Sequence, residues 1–188
     1  VPSAHAWVDI SSKLMSGAKY IGVVKIRGNL MPTAVRMARG RPLREVACDA
    51  CGRPESLGDI LQVCPRTSGG RIDRHNAVLA RTVKILIKGW SVLFEPAIPT
   101  PAGLRRPDII AWNSSTYCYV LDVTIAADNA DLGEVHQRKM KYYNNEHVCN
   151  WALGVRGKEN TIVSSISFNW RGAMALASYN VLKGDMEF

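Results

Sequence analysis

The stretch RRPDIIAWNSSTYCYVLDVTIA, residues 105–126, decides the fold. Residues 108–112 read as one apolar strand. Residues 117–126, rich in β-branched and aromatic side chains, read as a second. Asn113-Ser114-Ser115-Thr116 between them is turn chemistry. Each strand carries a carboxylate that does not suit it: Asp108 after Pro107, and Asp122 between Leu121 and Val123. An ionised carboxylate inside an apolar strand is costly unless a cation compensates for its lost water. In an antiparallel hairpin with a five-residue loop at 113–117, partner numbers sum to 230, and Asp108 stands opposite Asp122 on one face. A four-residue loop would put the two acids on opposite faces. Facing carboxylates of this kind attract a hard divalent cation such as Mg²⁺.

Downstream, Asp131-Leu-Gly-Glu134 has the pattern of a capping box with Asp in the cap position, opening a helix to about Asn145. Leu132, His136, Lys139 and Tyr143 fall on one stripe of that helix. If the stripe faces the sheet, Lys139 reaches the acid pair, where its ammonium can orient or help deprotonate a water and offset charge on a phosphoryl transition state. The Tyr143 hydroxyl can touch the same place. Lys141 is rotated about 200° away. Two strands, at 150–156 and 161–168, and a last helix over 172–183 complete the chain.

Upstream, Ile72, Asn76, Leu79, Val83, Leu86 and Trp90 recur at helical spacing, with Asp73 as cap and Gly89 as stop, so a helix is expected over 73–88. Val92 and Phe94 then alternate with Leu93 and Glu95 as a strand. Glu95 is a candidate third metal ligand or partner of Lys139; the alternative is an exposed edge glutamate. Pro96, Pro99, Pro101 and Gly103 read as a rigid loop ending at Arg105-Arg106. The element order gives an α/β fold, a mixed sheet flanked by helices.

The first third of the chain differs in character. Residues 1–47 hold eight basic and two acidic residues, residues 48–91 seven and four, and residues 92–188 nine and ten. The net charge of +8 therefore sits in the N-terminal half, the footprint of a polyanion-binding surface. Pro32 is placed to open a short helix, and Arg39-Gly-Arg-Pro-Leu-Arg44 reads as a basic loop. Hydrophobic residues make up 47% of the 188, which excludes a disordered chain, and no apolar run is long enough for a membrane span. No secretory signal is expected, and the opening Val1-Pro2 reads as the interior of a longer protein. Five cysteines, three of them at Cys48, Cys51 and Cys64, fit a metal site in a reducing compartment better than disulfides. Three thiolates at this spacing point to zinc, with Asp59 or His75 as possible fourth ligand.

Pro107-Asp108, thirteen residues, Asp122 and then Lys139 on the next helix resemble the PD-(D/E)XK nuclease pattern, and with them run, in order, Tyr20–Asn29, Met31-Pro-Thr33, Arg39-Gly-Arg41, Cys48-x2-Cys51-x7-Asp59-x4-Cys64, Gly70-Arg71-Ile72, Arg74-His75-Asn76, Glu95-Pro96, Gly103, Leu121-Asp122-Val123 and Trp170-Arg171-Gly172. More narrowly, they resemble the restriction-like endonuclease at the C-terminus of site-specific non-LTR retrotransposons. The resemblance implies a basic linker over 1–47, a zinc knuckle over 48–69 and a restriction-endonuclease-like domain over 70–188. It implies Asp108 and Asp122 as ligands of Mg²⁺ or Mn²⁺ and Lys139 as a displaced motif lysine. Thr124 stands where the general pattern has that lysine, Asp122 where many relatives have Glu, and Asp59 where the family has His. The activity implied is nicking of double-stranded target DNA in the nucleus. The 3′-hydroxyl released would prime reverse transcription of element RNA by a polymerase domain in the same polypeptide. Arg39, Arg41, Arg44, Arg74, His75, Arg105 and Arg106 are the candidate nucleic-acid contacts. The rival expectation is a module that clamps target DNA or element RNA and cleaves weakly or not at all.

Overall fold

The computed structural model describes residues 15–39, 42 and 46–186. The chain divides into two compact units. One takes in Val1–Asp73 and Trp170–Ala173, the other Arg74–Asn169 and Met174–Phe188.

In the first unit, helix α1 (Gly17–Arg27) starts at Ser16, whose side chain accepts from Lys19 N. It ends at Gly28, whose N–H returns to Val24 O and Ile26 O. Arg27 Nη1 donates to Arg171 O at 2.7 Å, and Arg171 Nη1 donates back to Arg27 O. The short helix α2 (Ala34–Met37) is capped by the Thr33 hydroxyl, so Pro32 lies just outside it rather than opening it. The cysteine module follows. An antiparallel bridge joins Ala47 to Pro54, and Gly52 (φ +67°) makes the turn between the flanks. A wide turn at Asp59–Val63 and a tight one at Pro65–Thr67 lead into helix α3 (Ser68–Leu86).

Helix α3 begins five residues before the expected Asp73 start, through Gly69 and Gly70, which disfavour a helix by about 1 kcal/mol each. Tertiary bonds at its start offset that cost: Arg71 Nη1 and Thr67 Oγ1 donate to Cys64 O at 2.7 and 3.1 Å.

In the second unit the main sheet has the order β1 (Ser91–Phe94), β4 (Ile109–Trp112), β5 (Tyr117–Ala126), β6 (Asn160–Asn169). The first two pairings are antiparallel and β5–β6 is parallel, so the sheet is mixed. Ile109 pairs with Leu121 and Trp112 with Cys118, the register of the five-residue loop. Alternation then sorts the side chains. Ile109, Ala111, Tyr119, Leu121 and Val123 pack with Leu79 and Leu86 of α3 and with Leu182 and Met186. Ile110, Cys118 and Val120 pack on the other face with Tyr143, Val148 and Ala152. Those three come from α4 (Leu132–Tyr143) and α5 (Glu146–Arg156). Helices thus flank both faces of the sheet.

Three elements differ from expectation. The strand expected at 150–156 is the C-terminal part of α5. Asn145 caps that helix by accepting from Val148 N, and Gly157 (φ +61°) stops it in the left-handed region. The rigid loop before Arg105 is a small hairpin, β2 (Ile98–Thr100) with β3 (Gly103–Arg105). Gly103 (φ +101°) supplies its turn, and Thr100 Oγ1 donates to Gly103 O. The last helix is shorter than expected: α6 (Leu176–Asn180) widens into a π-type turn at Val181–Asp185.

Candidate functional site

Asp108 immediately precedes β4, and the register continued by one pair sets it opposite Asp122. By alternation both share the face of Ile110 and Val120, beneath α4. Both are buried, Asp122 to 4% exposure. Because β4 begins at Ile109, the backbone of β5 beyond Leu121 lacks a strand on that side. Side chains take over the ladder. Asp108 Oδ2 accepts from Val123 N at 2.6 Å, and Val123 O lies 3.1 Å from His75 Nε2.

His75 Nε2 is also 3.3 Å from Asp108 Oδ2. Both neighbours are acceptors, so this nitrogen carries the proton. Asp122 is held in parallel fashion: Lys139 Nζ stands 2.9 Å from its Oδ2, and Thr124 Oγ1 donates to the same oxygen at 2.9 Å. The Tyr143 hydroxyl donates to Arg106 O at 2.9 Å.

The electrostatics match this geometry. Burial, then the Asp122 charge, push the Asp108 carboxyl above its ordinary range, against the Val123 N–H and His75. Burial, with Asp122 and Asp108 nearby, pushes the Tyr143 phenol far up, so it is a hydroxyl at neutral pH. Two buried carboxylates facing each other on one side of the sheet are a donor set suited to a divalent cation, which removes the repulsion. Asp108 and Asp122 could hold a cation such as Mg²⁺ or Mn²⁺.

Of the candidates, Asp108, Asp122, Lys139 and Tyr143 are brought together, and the Lys139 stripe faces the sheet while Lys141 is exposed. Glu95 is not drawn in as a strand residue. It follows the end of β1 with φ +42°, is exposed, and its N–H bonds Asp108 O. His75 sits in the second turn of α3, not at a helix N-terminus. The resemblance implies a functional or packing role near the site for His75, but its contact with Asp108, and that of Thr124 with Asp122, escaped the sequence reading. For Thr124 the signal was there, two residues past Asp122 on the same strand face.

A second cluster lies in the first unit. One ligand atom each from Cys48, Cys51, Asp59 and Cys64 lie within 4.8 Å of one another. The Cys48 and Cys64 sulfurs are 3.7 Å apart, and Cys51 Sγ is 3.5 Å from both Asp59 oxygens. Tetrahedral zinc with ordinary bond lengths sets its ligands about 3.8 Å apart for S···S and about 3.5 Å for S···O. These two edges match those of a zinc tetrahedron, and the cluster could hold a structural metal. Asp59 is its oxygen member, while His75 is engaged by Asp108 and Val123. The Ala50 backbone N–H draws the Cys48 thiol down. Against the Arg53 N–H, burial and the adjacent Cys48 and Asp59 push Cys51 up to about 11. Metal binding must displace that proton.

Among the expected phosphate contacts, Arg41 and Arg44 lie outside the described residues. Arg39 is exposed at φ +49°. Arg74 is partly buried and lines an apolar groove with Val78, Ile166 and Phe168. Arg106 is exposed, whereas Arg105 packs its guanidinium over the Tyr142 ring at 4.3 Å.

Fold and geometry thus define an α/β domain with a paired-carboxylate site, in a chain that also carries a Cys3Asp cluster able to hold a metal. The chain is homologous to Pol polyproteins of R2 non-LTR retrotransposable elements. It is 36% identical over 193 residues to the retrovirus-related Pol polyprotein from type-1 element R2 of Nasonia vitripennis, a match covering 96% of this chain and 18% of the relative. It is 32% identical over 171 residues to that from type-2 element R2DM of Drosophila melanogaster, 89% of this chain and 16% of the relative. A Popillia japonica R2 polyprotein is 37% identical over 146 residues, 76% of this chain and 30% of the relative. The chain thus spans less than a third of the length of these relatives. No protein-family model matches it.

Proposed function

We propose that this chain is the metal-dependent DNA endonuclease part of an R2-type retrotransposon polyprotein, of the restriction-like PD-(D/E)XK kind. The observation that carries the reading is the convergence of Asp108 and Asp122 in one register, with Lys139 on Asp122. Mg²⁺ or Mn²⁺ held by the two aspartates would supply charge neutralisation at a phosphate and activation of water. His75 and the Val123 N–H fix the Asp108 carboxylate; Thr124 and Lys139 fix that of Asp122. The Lys139 ammonium is placed to offset charge growing on the phosphoryl oxygens. Tyr143, held protonated, can donate a hydrogen bond but cannot serve as a base.

The water oxygen forms a bond to phosphorus, the P–O3′ bond breaks, and the departing oxygen takes a proton. The products are a 5′-phosphate and a 3′-hydroxyl. In a protein of this kind the 3′-hydroxyl would prime reverse transcription of element RNA, in the nucleus, by a polymerase domain of the same polypeptide. The basic residues supply contacts to the duplex, and the Cys3Asp cluster binds zinc.

The test is nicking of supercoiled plasmid with Mg²⁺ or Mn²⁺. Asp108→Ala and Asp122→Ala are expected to abolish nicking and keep DNA binding. If the unaltered chain never nicks yet still binds, the domain is a clamp on target DNA or element RNA rather than a nuclease.

A further inference from the structure

On the outward side of α4 is an open cleft of about 560 Å³. Its walls include Arg105, Arg138, Lys141, Tyr142, Asn145 and His147. Arg138 and Tyr142 lie on one stripe of α4, about 100° around the helix from that of Lys139 and Tyr143, and Asn145, the N-cap of α5, follows them. Three cations meet here without an acid: among the described residues, Arg105, Arg138 and Lys141 form no ion pair. Arg105 Nε is buried and has no hydrogen-bond partner among those residues. Tyr142, almost half exposed, is braced by Arg105 on its ring and by the edge contact with Tyr143 at 4.8 Å.

We propose that this cleft is a subsite for an unpaired nucleotide of the DNA strand being cut. Braced, exposed aromatic rings stack bases of any sequence, and cations around them bind the phosphates. A duplex presents its phosphates outward and its base faces stacked, so it would leave the Tyr142 floor unused. The two stripes of α4 lie about 10 Å apart at most, a few nucleotides at ~3.4 Å each. A strand crossing the acid pair therefore reaches the cleft within that distance. The proposal rests on the nuclease reading for the identity of the strand, but its test does not depend on cleavage.

The 188-residue chain, without added Mg²⁺ or Mn²⁺, is titrated against fluorescein-labelled oligothymidylate and against a blunt hairpin duplex. Tyr142→Leu is expected to weaken oligothymidylate binding about fivefold or more, and Tyr142→Phe to preserve it. The double variant Arg138→Ala/Lys141→Ala should reduce the slope of log affinity on log salt by about 1.4 for the single strand. Far-UV circular dichroism checks that each variant folds, and exposed Lys183→Ala serves as control. Unchanged single-strand affinity in all variants, or equal losses on both probes, overturns the subsite. A chain that passes these binding tests but never nicks DNA defeats the nuclease reading and leaves the subsite standing.

Discussion

Lys139 Nζ and Asp122 Oδ2 stand 2.9 Å apart, linking helix α4 to strand β5 directly over the paired aspartates. The lysine is one-third exposed and the aspartate almost wholly buried, so the pair opens toward solvent on the cation's side. Lys139→Ala should lower nicking by about 10²–10³ in single-turnover rate, the scale for losing one preorganised charge donor. Duplex affinity, read by fluorescence anisotropy, should change far less. An equal loss in both would make Lys139 a binding residue only.

Asp108 predicts a conflict between metal capture and stability. Its carboxyl is pushed up in the folded state by burial and Asp122. Such a group stabilises fully below its unfolded value, and that contribution is lost as pH rises through the folded one. The buried carboxyl therefore costs the metal-free chain stability as pH rises. Asp108→Asn should raise the melting temperature of metal-free protein at pH 7, by about 2–4 °C for each kcal/mol relieved. Mn²⁺ should raise it for the unaltered chain and not for the variant. Thermal scans with and without Mn²⁺ read both outcomes.

The pH response of stability has a second source in His136, buried on α4 with Nδ1 2.9 Å from Ser165 Oγ and 3.3 Å from Ser178 Oγ. Burial holds this imidazole below its ordinary range. A base depressed in the folded state contributes stability above its unfolded pKa of ~6.5 that is lost as pH falls through the folded value. Urea midpoints should drop between pH 7.5 and 5.5, and His136→Gln should flatten that drop. A parallel profile for the variant would assign the pH response elsewhere.

The Cys3Asp cluster should bind one zinc per chain. Cobalt substitution should give thiolate charge-transfer absorption, reduced in Cys64→Ser. Asp59→His, which restores a commoner ligand, should hold metal at least as tightly, and Asp59→Ala more weakly. Titration with a chromophoric chelator ranks the three. Equal retention in Asp59→Ala would remove the aspartate from the coordination shell.

The hairpin that carries the acids could be read from the chain because its information is local. The loop length between Trp112 and Cys118 determines which residues face each other, and β-branched side chains leave little choice of conformation. The stripe on α4 was likewise legible, since helical spacing places Lys139 and Tyr143 together. Helix α5 was misread because Val148, Cys149, Trp151 and Val155 are as apolar and bulky as strand residues. The deciding signals lay at its ends, in Asn145 and Gly157. Which residues His75 and Arg105 would meet was not legible. Their partners, Asp108 with Val123 and Tyr142, are 33, 48 and 37 positions away, and only packing brings them near.

The parallel β5–β6 ladder has a consequence for how the chain matures. Its ten paired positions, from Tyr117–Asn160 to Ala126–Asn169, all join residues 43 apart. The two aspartates come from a hairpin that closes early, over a short loop. The parallel pairing must wait for two intervening helices, and long loop closures are slow. The acids should accordingly face each other before the crossover brings the far strand of the sheet into place.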